Sequence, residues 1–503
     1  MSKEIYSLPI LGKLYFKIPL YLESPLIIGC GADENSDVDV LRELPSSRPV
    51  IPATSLIGVF RRYLETMAAE NAISGLPETC AAPEEMIASL FGERNTAGSQ
   101  SVLQCKDIIL DEKEYVIRTR DGVKISAESQ TGEDGKKYNY EIIEGKILRR
   151  GEKNAPFFLD LEITLRPKHD PECFKKLITI IILALDSGDI RLGAKTNKGF
   201  GRLRVIKNEV HWRHLDFTSL DQVWEWLTGE INYQELTGLN ADLLPKQSDE
   251  FSIEAQFNIK NAMLIRSYPV GKDLADAVHI TRSQWPGRSC SRNDLVGKDL
   301  ADAVHITQSG RPVLPGTSLM GAIRHRARKI LQIRLQNPER VNDMMRDLFG
   351  DVLTDSSADQ PSNKREKAWR GRVRIDERLI ELDPVSEIQT RIKVDRFTGG
   401  TIDGALLQEL PLWKTTVTAP VSIRISVLDK CKDEEAFLLL LVLKDLWSSD
   451  LPIGGTKNIG RGFLSGESAD ICWRGRNYHL TSEAGGIKAD AEFTALAKEF
   501  EKG

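Results

Sequence analysis

Two stretches of the chain, KLYFKIPLYLESPLII from Lys13 and FSIEAQFNIKNAMLI from Phe251, alternate apolar and polar residues with a period near two. Both are rich in β-forming side chains, and each predicts a strand that opens a domain. Behind Leu314 the period lengthens: Leu319, Met320, Ile323, Ile330 and Leu331 recur at helical spacing. That pattern predicts a helix after a Pro-x-Thr-Ser turn, capped by one of the turn's hydroxyls, with Arg324, Arg326 and Arg328 largely off the buried stripe. Continuous apolar runs at 177–185 and 436–443 are too short to span a bilayer and read as apolar helices.

These elements occur twice in the same order. IPATSLIGVFRR from Ile51 answers LPGTSLMGAIRH from Leu314, SLFGE from Ser89 answers DLFGD from Asp347, and IRTRDGV from Ile117 answers IQTRIKV from Ile388. DIRLGAKTNKGFGRL from Asp189 then answers DLPIGGTKNIGRGFL from Asp450. Each half therefore runs strand, Pro-[AG]-Thr-Ser turn, helix, LFG turn, variable middle, apolar helix, glycine-rich loop and closing strand, which is an α+β module written twice. A chain of 503 residues also exceeds what one core normally supports. The expected domains are 1–214 and 249–503, joined by a helical connector at 215–248 that contains Trp224 and Trp226 and matches neither half.

One further repetition is local. VGKDLADAVHIT begins at Val270 and again at Val296, with RSQWPGRSCSRNDL between the copies. Aligning the two opening strands leaves the second half longer, between Arg266 and Leu314, by the offset between the copies. The segment 270–307 thus reads as a direct duplication inserted in a loop, where added length costs little.

The composition, 41% hydrophobic and 28% charged, is that of an ordinary globular protein. Seven cysteines, odd in number and without C-x-x-C or zinc-ligand spacing, point to a reducing cytoplasm and no zinc site. No basic segment followed by a long apolar run marks a secreted or membrane-inserted protein. A net charge of −5 argues against a protein coated in nucleic acid, while leaving local basic surfaces open. No glycine loop opens a helix in a P-loop or dinucleotide pattern, so no organic cofactor is expected.

The chemistry concentrates in the repeated motifs. In the glycine-rich loops, Gly193, Gly199, Gly454 and Gly455 would let the backbone approach a phosphate, with Lys195, Lys198, Arg202, Arg204, Lys457 and Arg461 supplying attraction. The Pro turns and their helices add Ser55, Arg61, Arg62, Ser318, Arg324, His325, Arg328 and Lys329, and KREKAWRGRVR from Lys364 adds a further basic run. His279 and His305 have no partner at metal-ligand spacing.

Together the Pro-Gly-Thr-Ser-Leu-x-Gly turn with its basic helix, the LFG and the closing glycine-rich loop resemble the RAMP superfamily of CRISPR effector subunits. IQTRIKVDRFTGGTIDGALLQELPLW from Ile388 is similar to the thumb hairpin of backbone subunits in type III, RNA-targeting complexes. The first half is a looser match, with Ala53 in place of the glycine and no Asp-Arg-x-Thr-Gly in its middle segment. The resemblance implies a tandem pair of ferredoxin-like, RRM-like domains with thumb insertions. It implies as partners a CRISPR guide RNA, a target RNA and other effector subunits, in the cytoplasm and away from membranes.

The same resemblance implies an antiviral endoribonuclease acting only inside the assembled complex. A loop aspartate would lie beside the target phosphodiester, and cleavage would be attack by the ribose 2′-hydroxyl assisted by magnesium or manganese. Asp37, fourteen residues before Ile51, fits that loop, with Asp39 and Asp33 as competitors. In the second half Asp302 stands at the distance from Leu314 that Asp39 keeps from Ile51, and Asp276 is its duplicate. Asp37 and Asp302 are the expected cation ligands and Arg391 of the thumb an expected RNA contact. Two alternatives stay open: a scaffold without catalysis, and a guide-processing endoribonuclease of the same fold.

Overall fold

In the computed structural model, the described residues are 9–33, 36–73, 76–77, 80–93, 100–126, 132–146, 156–240, 244, 251–267, 303–350, 370–382, 388–483 and 486–494. The opening strand Gly12–Leu22 buries Leu14, Phe16, Ile18 and Leu20 at alternate positions, as its sequence period requires. It lies between Phe157–Leu165, with Phe16 opposite Leu161, and His211–Asp216, with Phe16 opposite Trp212. Leu103–Cys105 pairs beyond Phe157–Leu165, and Leu203–Val205 pairs with the end of the opening strand. Helices Ala53–Ala69, Pro83–Phe91 and Pro171–Ser187 bury their apolar residues in the same core.

The second unit repeats the plan. Phe251–Ile259 runs between Val421–Val427, with Ala255 opposite Ile423, and Leu464–Trp473, with Ala255 opposite Ala469. Val373–Ile375 pairs beyond Val421–Val427, and Arg476–Glu483 and Gly486–Ala489 extend the opposite edge. Helices Gly316–Leu335, Pro338–Phe349 and Asp433–Trp447 contribute to its core. In both units the chain order strand, helices, strand, strand, helix, strand gives an antiparallel sheet with the opening strand inside, the βαββαβ pattern of ferredoxin-like folds. The fold is α+β, with two tandem ferredoxin-like domains.

Each half of the sequence carries a hairpin between its second and third core strands: Tyr115–Ile125 with Gly132–Gly145, and Gln389–Val394 with Thr401–Leu410. Each hairpin continues into a side sheet through a parallel pairing, Val38 with Tyr140 and Ala303 with Glu409.

Three expectations require correction. The hydroxyls of the Pro turns do not cap their helices, because Pro52 and Pro315 themselves occupy the N-cap; in the first unit the Asp107 carboxylate accepts from the Ala53 amide at 2.7 Å instead. The segment 215–248 is not simply a helical connector. It contains the helix Leu220–Thr228, but Leu215 is buried in the strand His211–Asp216, Gln234–Glu235 pairs back onto that strand, and Leu236 is buried in the first core. The chain divides into two compact units, 1–122, 138–196 and 200–246 in one and 123–137, 197–199 and 247–503 in the other. Finally, Cys80 and Cys173 form a disulfide, Cα atoms 5.9 Å apart, that ties the segment after the first helix to Pro171–Ser187. Their separation of 93 residues hides that pairing from any spacing rule. Cys30, Cys105 and Cys431 are free thiols, and Cys290 lies outside the described residues.

His305 is a core histidine. Nε2 donates to the Val313 carbonyl at 2.9 Å and Nδ1 accepts from the Ile265 amide at 3.3 Å, an arrangement that requires the neutral ring. Burial pushes its pKa down to about 4, although the Val313 bond acts in the opposite direction.

Two predictions follow from these buried groups. Thiol titration of the unfolded, unreduced protein will count two fewer thiols than the seven cysteines. Reduction or Cys80→Ser will lower the stability of the first unit by up to ~4 kcal/mol, read from denaturant melts. For His305, whose pKa falls on folding, the unfolded chain binds more protons between about pH 4 and 6.5. Its contribution is complete above about pH 6.5 and is lost as pH falls through that window, on the order of 3 kcal/mol in all. His305→Gln will therefore flatten the stability of the second unit against pH between about pH 4 and pH 6.5.

Candidate nucleic-acid interface

The two glycine-rich loops share one backbone conformation. Gly193, Lys195, Gly199 and Gly201 take positive φ in the first, and Gly454, Thr456, Gly460 and Gly462 take it at the corresponding places in the second. The reason is closure onto the chain itself. A Cβ on Gly201 would stand 1.9 Å from the Leu192 carbonyl oxygen, and one on Gly462 would stand 1.9 Å from that of Ile453. The amides of Ala194 and Gly455 donate to Ile27 and Leu264, and those of Leu192 and Ile453 donate to Gly201 and Gly462. The glycines thus fold the loop tightly, where the sequence had assigned them to close phosphate approach. Gly455 is the exception, since a Cβ there meets only ordinary contacts.

Several expected RNA contacts are committed within the protein. Arg202 and Arg204 converge on Glu23 at 2.7 and 3.0 Å. The Lys195 ammonium lies 3.1 Å from the centre of the Tyr140 ring and 5.1 Å from that of Tyr138. Arg61 pairs with Glu65, Arg324 donates to the Gly350 carbonyl, and Arg328 donates to Asn342. Arg326 is held by Asp445 and Arg372 by the buried Glu435. Lys364 lies outside the described residues.

Arg391 and Arg461 meet at a carboxylate that sequence reasoning missed. Glu409, fully buried at the end of the second hairpin, accepts from Arg461 at 2.6 Å, Arg391 at 2.7 Å and Arg266 at 2.9 Å. Arg461 also bonds Gln389 Oε1 and Thr456 Oγ1, so one node joins the hairpin to the glycine-rich loop. The first unit builds an equivalent node with the parts exchanged. Fully buried Glu144 meets Arg118 and Arg120 at 3.3 and 3.1 Å. Phe200 occupies the motif position of Arg461, with the Arg120 guanidinium 5.6 Å from its ring centre. The only sequence signal was an acidic residue near the end of each hairpin's second strand, and that is a weak one.

What remains positive is a surface on the helix Gly316–Leu335 and the turn Lys457–Ile459. His325 is pushed down by partial burial first and then by the charges of Lys457, Lys329, Arg326 and Arg328. Lys329 and Lys457 are exposed and meet no carboxylate among the described residues. In the first unit Arg62 is likewise exposed, on the helix Ala53–Ala69. Ser55 and Ser318 lie half-buried in the first turns of their helices, and Lys198 is half-buried in the turn Thr196–Lys198.

The expected catalytic aspartates are less complete. Asp39 lies in the strand Ser36–Val40, half-buried and paired with Gly31 rather than in an open loop, and the backbone of Asp37 belongs to the same strand. Asp276 and Asp302 lie outside the described residues. Among the described residues no three His, Cys, Asp or Glu side chains come together to hold a cation.

The tip of the second hairpin is built around Asp395. Its carboxylate accepts from the amides of Phe397 and Thr398 at 2.9 and 2.8 Å and from the Thr398 hydroxyl at 3.0 Å. These bonds, the Thr398 amide first, hold the carboxyl below its usual range. The turn leaves Phe397 90% exposed, beside Ile392, Val394 and Leu406, which are also exposed. The described part of the first hairpin stops short of its tip.

The loop geometry gives a direct test. Gly462→Ala will destabilise the second unit by several kcal/mol, because it adds both left-handed strain and a clash with a backbone carbonyl, whereas Gly455→Ala will change its melting by less than ~1 kcal/mol.

Comparison with known proteins agrees with this twofold architecture. No curated protein matches the chain. Among the described residues no helix is long and apolar enough to cross a membrane. A family model matches twice, over residues 20–204 and 299–465, each time spanning a Pro turn, a hairpin and a glycine-rich loop. The chain belongs to the RAMP superfamily, a family of CRISPR-associated RNA-binding subunits, and carries its module in tandem.

Proposed function

We propose that the chain is a double backbone subunit of a type III CRISPR effector complex, holding guide RNA along its basic helices and presenting complementary target RNA to its hairpins. The observation that carries this reading is the grouping of Lys329, Lys457 and Arg328 about His325, with both lysines exposed and meeting no carboxylate among the described residues, next to a glycine-rich loop that recurs in the first half. Such a concentration of cations in a chain of net charge −5 favours a polyanion at that place. Its place of action on this reading is the cytoplasm.

The reading extends to target cleavage at Asp302 and Asp37, with Asp276, the duplicate of Asp302, and Asp39, two residues after Asp37, as competitors. There the ribose 2′ oxygen would bond to the adjacent phosphorus as the bond to the 5′ oxygen breaks, leaving a 2′,3′-cyclic phosphate and a 5′-hydroxyl. A carboxylate beside the linkage would orient or deprotonate the attacking hydroxyl.

The test is purification of the whole assembly and sequencing of the RNA it carries. Guide RNA with repeat-derived ends is expected, and an assembly without RNA overturns the reading. Lys329→Gln and Lys457→Gln will each flatten the salt dependence of RNA binding by about 0.7 in logarithmic slope. Mapping cuts in a complementary target, with and without a chelator of magnesium and manganese, separates the roles. Loss of particular cuts in Asp302→Ala or Asp37→Ala with assembly intact supports catalysis here. Unchanged cuts assign the chain to a scaffold, and altered guide ends assign it to guide processing.

A further inference from the structure

Three guanidinium groups surround one carboxylate at the base of the second hairpin, and their exposures differ. Arg461 is almost wholly buried, its side chain 4% exposed, and divides its bonds among Glu409, Gln389 and Thr456. Arg266 and Arg391 touch Glu409 as well, yet keep 35% and 30% of their side-chain surface open. Among the described residues no second carboxylate meets either of them. The node therefore holds two positive charges more than Glu409 neutralises.

Charges withdrawn from water in this way are costly unless an anion completes them. A guanidinium bound to a carboxylate along one edge keeps other N–H donors, whose planar geometry matches the oxygens of a phosphate. We propose that Arg266 and Arg391 form a phosphodiester subsite at the base of the second hairpin, and that Glu409 is the positioning residue that sets both. The subsite rests on the RNA-binding reading above.

Its place favours RNA backbone over a free ion. Thr456, which accepts from Arg461, directly precedes Lys457 of the crowded cationic surface, so the node and that surface share one loop. The strand of Arg266 and the hairpin of Arg391 belong to one four-stranded side sheet, which fixes the spacing of the two forks. The first-half node lacks this opening: Arg118 and Arg120 are 12% and 5% exposed around Glu144. The subsite is therefore a property of the second half.

The test uses the full chain and an oligouridylate over a series of salt concentrations. Arg266→Gln and Arg391→Gln will each weaken binding and flatten the logarithmic salt slope by about 0.7, while Arg266→Lys keeps the slope. Glu409→Gln removes a negative charge and on charge grounds alone should tighten RNA; as a positioning residue its loss weakens binding instead, in protein whose thermal melt remains cooperative. If a variant fails to fold, protection of Arg266 and Arg391 from phenylglyoxal by oligouridylate in the unaltered chain answers the same question. Unchanged slopes in both glutamine variants, or absent protection, overturn the subsite while the RNA-binding reading stands. Protection by inorganic phosphate equal to that by oligouridylate also overturns it, in favour of a free-phosphate site. If the unaltered chain binds no RNA, the underlying reading falls with it.

Discussion

A carboxylate with no access to water must be met by fixed cations, and Glu409 and Glu144 impose that requirement at the base of each hairpin. Glu409 draws together residues from a side strand, the hairpin and the glycine-rich loop, three pieces of chain that the core sheet alone would leave independent. The two halves meet the requirement differently. Where the second places Gln389 and Arg461, the first places Arg118 and Phe200, moving a guanidinium from the loop to the hairpin without giving up the pairing. Survival of the contact through an exchange of its parts is a physical argument that hairpin and loop are built to hold one geometry.

The basic residues of the repeated motifs consequently have separate tasks. Arg202, Arg204, Arg326 and Arg461 spend their charge on internal carboxylates and build the module. Lys329 and Lys457 contribute nothing comparable to the interior, and among the described residues no carboxylate meets either of them. The glycines divide in the same way, with Gly201 and Gly462 closing the loop on its own carbonyls while Gly455 is free of such contacts.

Much of the fold was legible because it follows from periodicity. The alternation in the opening strands, the helical stripe after each Pro turn and the ordered motif matches together fix two copies of one topology. What escaped depends on contacts between residues distant in sequence. Asp107 caps a helix 54 residues away, Cys80 finds Cys173 across the first core, and Leu236 returns a segment that looked like a connector to the first sheet. At the site, sequence located the loops and the cations but not their partners, since a lone glutamate such as Glu409 gives no sign of how many arginines will face it. His305 escaped in the same way, since its bonds to the Ile265 amide and the Val313 carbonyl cannot be read from spacing.

The turn at the end of the second hairpin has a consequence of its own. The Asp395 carboxylate accepts from the amides of Phe397 and Thr398, so the aromatic ring stands on a braced support instead of a loose loop. Whatever surface receives Phe397 is spared most of the entropy of ordering it. Until that surface arrives, the same rigidity keeps a bare apolar blade in water, and an orphaned copy of the chain would adhere to its fellows through it.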